Sequence, residues 1–259
     1  HVLLMINTMV NLMLNIVIPM AGLGSRFVDA GYKKPKPFID VLGKPMIERV
    51  LENLSCPNSR YILIAREEHI KNESVIVSEI EKKYNAVFVP VKDLTEGTVC
   101  TTLFARKYIN TSDPLIIANS DQLVDICLSD YLIDAINRKL DGSILSFIEE
   151  NKDPKWSYAK IDNKGYVTQV KEKSAISEYA TVGIYFFHKG SDFVDASIDM
   201  IVRNDRVNNE FYTCPAYNYM IDNDKKVGLF NINKQNMHGL GTPEDLDKYI
   251  DFYKNNPKV

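Results

Sequence analysis

Two glycines and a group of basic side chains follow a short apolar segment near the start of the sequence. The segment, Asn15–Pro19, has the composition of a buried strand. Gly22 and Gly24 come soon after it and carry no β-carbon, so backbone N–H groups there can approach an anion closely. The loop then supplies four cations: Arg26, Lys33, Lys34 and Lys36. This order of residue types predicts a loop that binds phosphate groups.

Two common nucleotide-binding motifs do not fit this loop. A dinucleotide-binding loop needs a third glycine where Phe27 stands, and an unbroken helix after it that Pro35 and Pro37 exclude. The phosphate loop of ATPases needs a Gly-Lys-Ser/Thr sequence, which does not follow these glycines at the required spacing. A long, basic loop stiffened by prolines favours phosphoryl or nucleotidyl chemistry over hydride transfer.

The stretch PMAGLGSRF followed by KPKPFIDVLGKPMIERV resembles the signature of the sugar-phosphate nucleotidylyltransferases. Within that family the sequence resembles small members of capsule and surface-glycan pathways, some of which are cytidylyltransferases acting on phosphocholine or phosphoglutamine. The resemblance implies transfer of a nucleoside monophosphate from a triphosphate, with CTP favoured, to a sugar phosphate or another small phosphorylated acceptor. Pyrophosphate would be released, and Mg²⁺ would be the cofactor.

The resemblance also assigns roles to residues of the glycine loop. Arg26 and Lys36 are expected to stabilise charge around the α-phosphate and the leaving pyrophosphate. A general base is not required, because the second pKa of a phosphate monoester is about 6 and the acceptor is already mostly dianionic at neutral pH. The expected nucleotide-binding residues come from the loop and from a later Gly-Thr pair: Met20, Ala21, Gly22, Leu23, Gly24, Ser25, Gly97 and Thr98.

Asp121 is the candidate magnesium ligand. It follows the predicted strand Pro114–Asn119, and loops after parallel strands emerge at the same edge of a sheet, so its carboxylate can face the glycine loop. A hard cation prefers such oxygen ligands. The alternative is a helix cap for the region Ser129–Asn137, but Ser129 is itself a suitable cap.

Four residues of the second half are candidate acceptor contacts through the resemblance: Glu172, Lys173, Gly183 and Glu210. A Lys-Glu-Lys run is by itself more typical of a solvated strand edge. Gly183 would otherwise be a packing or bulge glycine, whereas in the family it lets the acceptor lie close to the backbone. Glu210 follows Asn208 and Asn209, and this order also suits a helix cap with an acidic first turn.

The sequence departs from the family at Gly239, where many members carry a second metal-binding Asp or Asn. The site could use Asp121 with water, or Glu210 could serve as a second ligand. Two alternative functions stay open: a glycosyltransferase using a nucleotide sugar, and a binding protein without activity. The sequence Asp121-Gln122-Leu123 lacks the Asp-x-Asp motif usual in the first, and intact Arg26 and Lys36 disfavour the second.

Strand and helix signals alternate in the first half, which predicts an α/β, Rossmann-like, open and mostly parallel sheet flanked by helices. The second half is richer in strand signals and suggests a mixed extension on the acceptor side. We expect one domain over residues 13–259, with a nucleotide-binding lobe at 13–140 and an acceptor-binding lobe at 141–259. Thr242, Pro243 and Asp245 predict a capping box at the last helix.

Composition narrows the class of protein further. A chain of 259 residues with net charge −3 and no basic stripe outside the loop disfavours nucleic-acid binding. Four separated cysteines without CxxC spacing suggest reduced thiols and a cytoplasmic protein. Residues 1–12 are apolar but lack Lys and Arg, which fits an N-terminal extension better than a leader or membrane anchor. A homo-oligomer is compatible with the sequence.

Overall fold

The computed structural model describes residues 12–256, so most of the expected extension at residues 1–12 lies outside the described residues. The strands, numbered in chain order, are β1 Leu14–Met20, β2 Asp40–Val41, β3 Lys44–Pro45, β4 Ser59–Arg66, β5 Ala86–Val91, β6 Leu115–Ala118, β7 Gln122–Val124, β8 Gly142–Ile148, β9 Tyr158–Ile161, β10 Val167–Lys171, β11 Tyr179–Phe187, β12 Val227–Ile232 and β13 Met237–Gly239.

The helices are numbered in the same way. They are α1 Ser25–Asp29, α2 Met46–Asn53, α3 Glu67–Asn72, α4 Ser74–Lys83, α5 Thr98–Leu103, α6 Arg106–Ile109, α7 Leu128–Asn137, α8 Gly190–Val202, α9 Ala216–Asp222 and α10 Pro243–Asn255. Short 3₁₀ turns cover Lys36–Phe38 and Lys234–Asn236.

Nine strands form one mixed sheet whose first half is parallel, as expected from the sequence. β1 lies between β4 and β6 and runs parallel to both, and β5 continues the sheet beside β4. The strand β1 is an almost continuous apolar run, because helices cover both faces of this part of the sheet and bury Ile16, Val17 and Ile18 completely. The carboxyl ends of β1 and β6 therefore meet at one edge, next to the glycine loop.

The second half extends this sheet through β11, which pairs antiparallel with three strands. Its last residues lie between β6 and β8, while its first residues lie between β9 and β8. β10 then pairs with β9, and β12 runs parallel to β8. β6 and β9 lie on the same side of β11, and β9 begins close to the end of β6. The loop after β6, which carries Asp121, therefore faces the end of β10, which pairs with the start of β9.

A small ribbon of β7 and β13 closes the sheet edge beside Asp121. The side chain of Asn53, at the end of α2, donates to the carbonyl of Val124 at 2.8 Å and accepts from its N–H at 2.9 Å. The N–H of Leu240 donates to the carbonyl of Asp121 at 2.7 Å. These bonds fix the backbone of the candidate metal ligand to a packed helix.

The helices depart from the sequence predictions in three places. The sequence of Glu67–Tyr84 predicts a single polar-faced helix, but in the structure it is divided at Glu73, which leaves helical geometry at φ −108° and ψ 31°. The sequence also predicts one helix from Thr95 to about Tyr108, whereas the structure has a helix that begins only at Thr98 and ends at Leu103, before the separate helix α6. The thirteen-residue helix α8 was not predicted, although its buried face has helical periodicity.

Two predicted caps differ in the structure, and the predicted capping box of α10 is confirmed in part. Asn208 and Asn209 both have positive φ and form a tight turn closed by two hydrogen bonds between Val207 and Glu210, well before α9 begins. The cap of α7 is Cys127 rather than Ser129. In α10 the Thr242 hydroxyl accepts from the N–H of Asp245, but no reciprocal bond from the Asp245 carboxylate is present among the described residues, because aspartate is shorter than the usual glutamate.

Within residues 12–256, none of the helices has the length and apolar character needed to span a membrane.

The Asn53 contacts give a test of how the site edge is held. Asn53→Ala should lower the free energy of unfolding by about 1 to 3 kcal/mol, because it leaves both backbone groups of Val124 without their partners. Urea denaturation measures the change. Asn72→Ala, which removes an exposed amide at the end of α3, is the control and should change stability by less than about 0.5 kcal/mol. Equal stabilities for the two variants would contradict this account of the ribbon.

Candidate active site

A cleft of about 280 Å³ lies at the carboxyl ends of β1 and β6. Loops after both strands contribute to its wall, as does the proline-containing segment that follows α1. The lining residues are Pro19, Met20, Gly22, Gly24, Lys36, Pro37, Thr98, Asn119, Ser120 and Asp121. Five of the residues expected to bind nucleotide or metal, together with the expected catalytic Lys36, therefore share one cavity.

The glycine loop positions Lys36 through Gly24. Gly24 has φ +62°, a left-handed conformation that glycine adopts without the steric penalty of a side chain. A β-carbon at this position would lie 3.2 Å from the β-carbon of Lys36. The loop backbone and the lysine are thus in direct contact, and a larger residue would displace one of them.

Arg26 occupies a different environment from Lys36. It lies in α1 on the exposed side of the loop, and among the described residues its guanidinium makes no hydrogen bond or ion pair. In the same loop Met20 and Ala21 are buried, while Leu23 and Ser25 are exposed. The loop thus presents a cation on its outer side that is free to meet an anionic ligand.

Lys36 and Asp121 form an ion pair across the cleft. The ammonium donates to Asp121 Oδ2 at 2.7 Å, and the two side chains are 21% and 27% exposed. A β-carbon on Gly241 would lie 3.2 Å from the same carboxylate oxygen, so the backbone of the β13–α10 connection also packs against it. The two groups expected to act on phosphate and metal are therefore adjacent.

The residues at Asp121 suit a magnesium ion that is shared with substrate. Among residues 12–256, no cluster of three or more His, Cys, Asp or Glu side chains could hold a metal alone. Mg²⁺ commonly uses one or two carboxylates and completes its shell with water and phosphate oxygens, and Asp121 faces a cleft with room for both. Gly239 pairs with Gln122 in the ribbon of β7 and β13. A β-carbon added to Gly239 would lie 4.0 Å from Asp245 Cγ.

Gly97 joins the predicted nucleotide side of the cleft to the predicted acceptor side. It has φ +119°, and a β-carbon there would lie 2.6 Å from the backbone nitrogen and oxygen of Phe211. The Phe211 N–H donates to the carbonyl of Glu96 at 2.8 Å, and the Thr213 hydroxyl donates to the side-chain hydroxyl of Thr98 at 3.1 Å. The loop that carries Glu210 is therefore anchored to the predicted nucleotide-binding residues.

Two amide side chains that sequence reasoning missed cover Gly183. This glycine has φ +101°, and a β-carbon there would overlap the amide nitrogen of Asn119 and lie 2.9 Å from Gln122 Nε2. The space above Gly183 is thus occupied by these amides. Gln122 is only 7% exposed, and its Nε2 has no hydrogen-bond partner among the described residues. The sequence signal that could have identified Asn119 and Gln122 was their position close to Asp121.

Glu172 is buried at the end of β10, unlike a solvated strand edge. It accepts a hydrogen bond from the Ser157 hydroxyl. Burial raises the pKa of the Glu172 carboxyl, and the bond from Ser157 and the charge of Lys173 offset this only in part. A buried carboxylate with a single hydroxyl partner retains acceptor capacity for another polar group.

Lys173 turns away from the strand with φ +53° and meets the loop after α8. Its ammonium donates to the hydroxyl of Tyr212 at 2.8 Å, and this hydroxyl donates to Glu210 Oε2 at 2.6 Å. The bond to Tyr212 raises the pKa of Lys173. Burial and, after it, the bond to Glu210 raise the pKa of Tyr212. Tyr212, which was not predicted from the sequence, thus links Lys173 to Glu210, and Glu172 is the residue before Lys173.

Hydrogen bonds join the side of the cleft that carries Asp121 to Glu172 through β11. The N–H of Asn119 donates to the carbonyl of Gly183 at 3.0 Å. Two residues earlier on the same strand, the N–H of Thr181 donates to the carbonyl of Ser157 at 2.9 Å, and the Ser157 hydroxyl reaches Glu172. The predicted acceptor residues therefore belong to the same structural unit as the cleft.

An open α/β sheet with a glycine loop at its carboxyl edge defines a nucleotide-binding α/β protein. Within that class the chain belongs to the nucleotidyl transferase family, since residues 16–255 match the family's model. The crystal structure of a nucleoside-diphosphate-sugar pyrophosphorylase from Vibrio cholerae RC9 has the same fold, with a TM-score of 0.77 at 23% identity over 91% of this chain and 99% of that one.

Two curated relatives show how far the similarity extends. A UTP–glucose-1-phosphate uridylyltransferase of Staphylococcus haemolyticus is 22% identical over 283 residues, covering 92% of this chain and 96% of that protein. The bifunctional protein GlmU of Methanococcus aeolicus is 24% identical over 173 residues, or 66% of this chain, and the chain spans only 39% of the length of that relative.

The two loop glycines should respond differently to the same substitution. Gly24→Ala should lower the free energy of unfolding by about 1 to 2 kcal/mol, because alanine is strained at this φ and crowds Lys36. Gly22→Ala is the control, since its φ is ordinary and a β-carbon there meets nothing within 4 Å; its stability should change by less than about 0.5 kcal/mol. Thermal and urea unfolding measure both, and a stable Gly24→Ala variant would contradict the assigned loop geometry.

Proposed function

We propose that this protein is a magnesium-dependent nucleotidylyltransferase that transfers a nucleoside monophosphate from a triphosphate to a small phosphorylated acceptor. The observation that carries the proposal is the ion pair between Lys36 and Asp121 in a cleft walled by the glycine loop. A cation and a carboxylate at this point suit a polyphosphate and its metal ion. Membership of the nucleotidyl transferase family supports the reaction class.

The reaction is an in-line displacement at the α-phosphorus. An oxygen of the acceptor phosphate forms a new bond to this phosphorus while the bond to the bridging α–β oxygen breaks, and pyrophosphate leaves with that electron pair. Because the acceptor has a second pKa of about 6, it needs no general base at neutral pH. Among the described residues, no histidine lines the cleft, which agrees with a mechanism based on positioning and charge.

Residues in the cleft and in the loops around it would bind the substrates and stabilise developing charge. Lys36 and Arg26 would neutralise charge that develops on the α-phosphate and the pyrophosphate. The backbone of the loop from Met20 to Ser25, with Gly97 and Thr98, would hold the nucleotide. Asp121 would hold Mg²⁺, which supplies charge neutralisation to the phosphates when it is bound.

The acceptor would occupy the side of the cleft formed by Glu172, Lys173 and Glu210, with the amides of Asn119 and Gln122 between it and Gly183. Lys173 suits its phosphate, and the buried Glu172 suits its hydroxyl or amine groups. We propose CTP as the donor and a surface-glycan precursor as the product, on the resemblance to small cytidylyltransferases. One of the relatives described above, that of Staphylococcus haemolyticus, is named for UTP and glucose 1-phosphate, so a sugar 1-phosphate is the first alternative acceptor.

A pyrophosphate-release screen tests this function. CTP, UTP, dTTP, ATP and GTP are each combined with Mg²⁺ and with sugar 1-phosphates, phosphocholine or phosphoglutamine. We expect release with one donor and one acceptor class, dependent on both substrates, and strongest with CTP. A protein that releases no pyrophosphate but consumes nucleotide sugars would be a glycosyltransferase, and one that binds nucleotide without turnover would be a binding protein.

Lys36→Met should reduce turnover by about 100-fold or more, because it removes a preorganised positive charge from the reacting phosphate. Steady-state kinetics measure the change with the substrates found in the screen. Lys33→Met is the matched control: it removes the same charge from an exposed position of the same loop and should reduce turnover less than about tenfold. Circular dichroism should show both variants folded. Equal losses in the two variants would mean that only the overall charge of the loop matters.

A further inference from the structure

Tyr212 lies between two predicted acceptor residues and has no assigned role of its own. Its hydroxyl accepts from the ammonium of Lys173 at 2.8 Å and donates to Glu210 Oε2 at 2.6 Å. A phenol that donates its single proton to a carboxylate has its oxygen lone pairs left for the ammonium. The three groups therefore form one chain of hydrogen bonds with a fixed direction.

We propose that Tyr212 is the positioning residue that holds the Lys173 ammonium in place for the phosphate of the acceptor. The proposal rests on the proposed function and adds to it the group that orders its acceptor-phosphate contact. A lysine has four rotatable side-chain bonds and loses considerable freedom when it is fixed, so prior fixation by Tyr212 lowers the cost of binding an anion.

The backbone around Tyr212 makes it a suitable anchor. The preceding residue, Phe211, is buried, and its N–H and carbonyl bond to the backbone of Glu96 and Val99 respectively. The hydroxyl of the following residue, Thr213, donates to Thr98. Tyr212 is thus held between two residues that are bonded to the predicted nucleotide-binding segment, so the position of Lys173 is fixed relative to the nucleotide.

The positive charge of Lys173 in this chain of hydrogen bonds suits an anionic ligand. Lys173 has three N–H donors, of which Tyr212 takes one, and the others remain for phosphate oxygens. The bond that Lys173 donates to Tyr212 raises the pKa of Lys173, with smaller contributions in the same direction from the charges of Glu172 and Glu210. These contacts therefore favour the charged ammonium over the neutral amine. A stabilising role alone would explain these bonds less well, because ion pairs at the protein surface contribute little to the free energy of folding.

The test compares Tyr212→Phe with Tyr219→Phe. Tyr219 also donates to a carboxylate, Asp205 Oδ2 at 2.7 Å, but lies on α9 outside the cleft, so its variant removes the same kind of bond elsewhere. Tyr212→Phe should raise the KM for the phosphorylated acceptor by about tenfold or more, while the KM for the triphosphate and kcat change by less than about threefold. Tyr219→Phe should leave all three within about twofold. An unchanged acceptor KM, or an equal rise in both KM values, would overturn the proposal.

Two further measurements separate positioning from other effects. In a Lys173→Met background, Tyr212→Phe should add little to the acceptor KM, because the group that it positions is gone; a full multiplicative effect would show that Tyr212 acts independently. Competitive acetylation of Lys173, followed by mass spectrometry over roughly pH 8 to 11, should show a lower half-labelling pH in Tyr212→Phe and no shift in Tyr219→Phe.

The labelling experiment needs no turnover, so the two hypotheses can fail separately. If the proposed function is wrong, the wild-type protein releases no pyrophosphate with any substrate pair, yet Lys173 still titrates at lower pH in Tyr212→Phe. If the positioning role is wrong, the enzyme is active and the titration of Lys173 does not respond to Tyr212.

Discussion

The parallel pairing of β1 with β6 is the constraint on which the candidate site depends. Asn15, Ile16 and Val17 lie opposite Leu115, Ile116 and Ile117 in register, so the loops after the two strands emerge side by side. One loop carries the glycines and Lys36, and the other carries Asp121. Their ion pair across the cleft follows from strand order, and any register shift of this buried pair would separate the two charges.

Left-handed backbone conformations surround this cleft and serve close approach between segments. Gly24 packs against Lys36, Gly97 against the backbone of Phe211, and Gly183 against two amide side chains. In each case a β-carbon would enter space already filled by another element. Lys173 adopts a positive φ without being glycine, and its side chain is then held by Tyr212. The site thus depends on close contacts of the backbone, and the pattern of hydrophobic residues in the sequence does not strongly specify such contacts.

The parallel half and the placement of Asp121 could be predicted because long buried strands give a strong local signal, and strand direction then fixes which loops meet. The helix Gly190–Val202 had a readable period but lay in a region whose strand signals dominated the interpretation. The Asn208–Asn209 turn was wrongly interpreted as a cap because both structures favour asparagine. The contact of Tyr212 with Lys173 joins residues distant in sequence, so no local pattern could reveal it.

The energetics of the Lys36–Asp121 pair indicate why these residues lie where they do. Both side chains are partly exposed, and such a pair contributes only about 0 to 1 kcal/mol to folding. Gly24 nevertheless adopts a left-handed conformation beneath Lys36, and a β-carbon on Gly241 would crowd the Asp121 carboxylate. Since a bond of this kind stabilises the fold so little, its geometry is better explained by the charges that it places at the cleft. An ammonium and a carboxylate in contact are each available to a stronger partner, and a polyphosphate with its cation offers one to each.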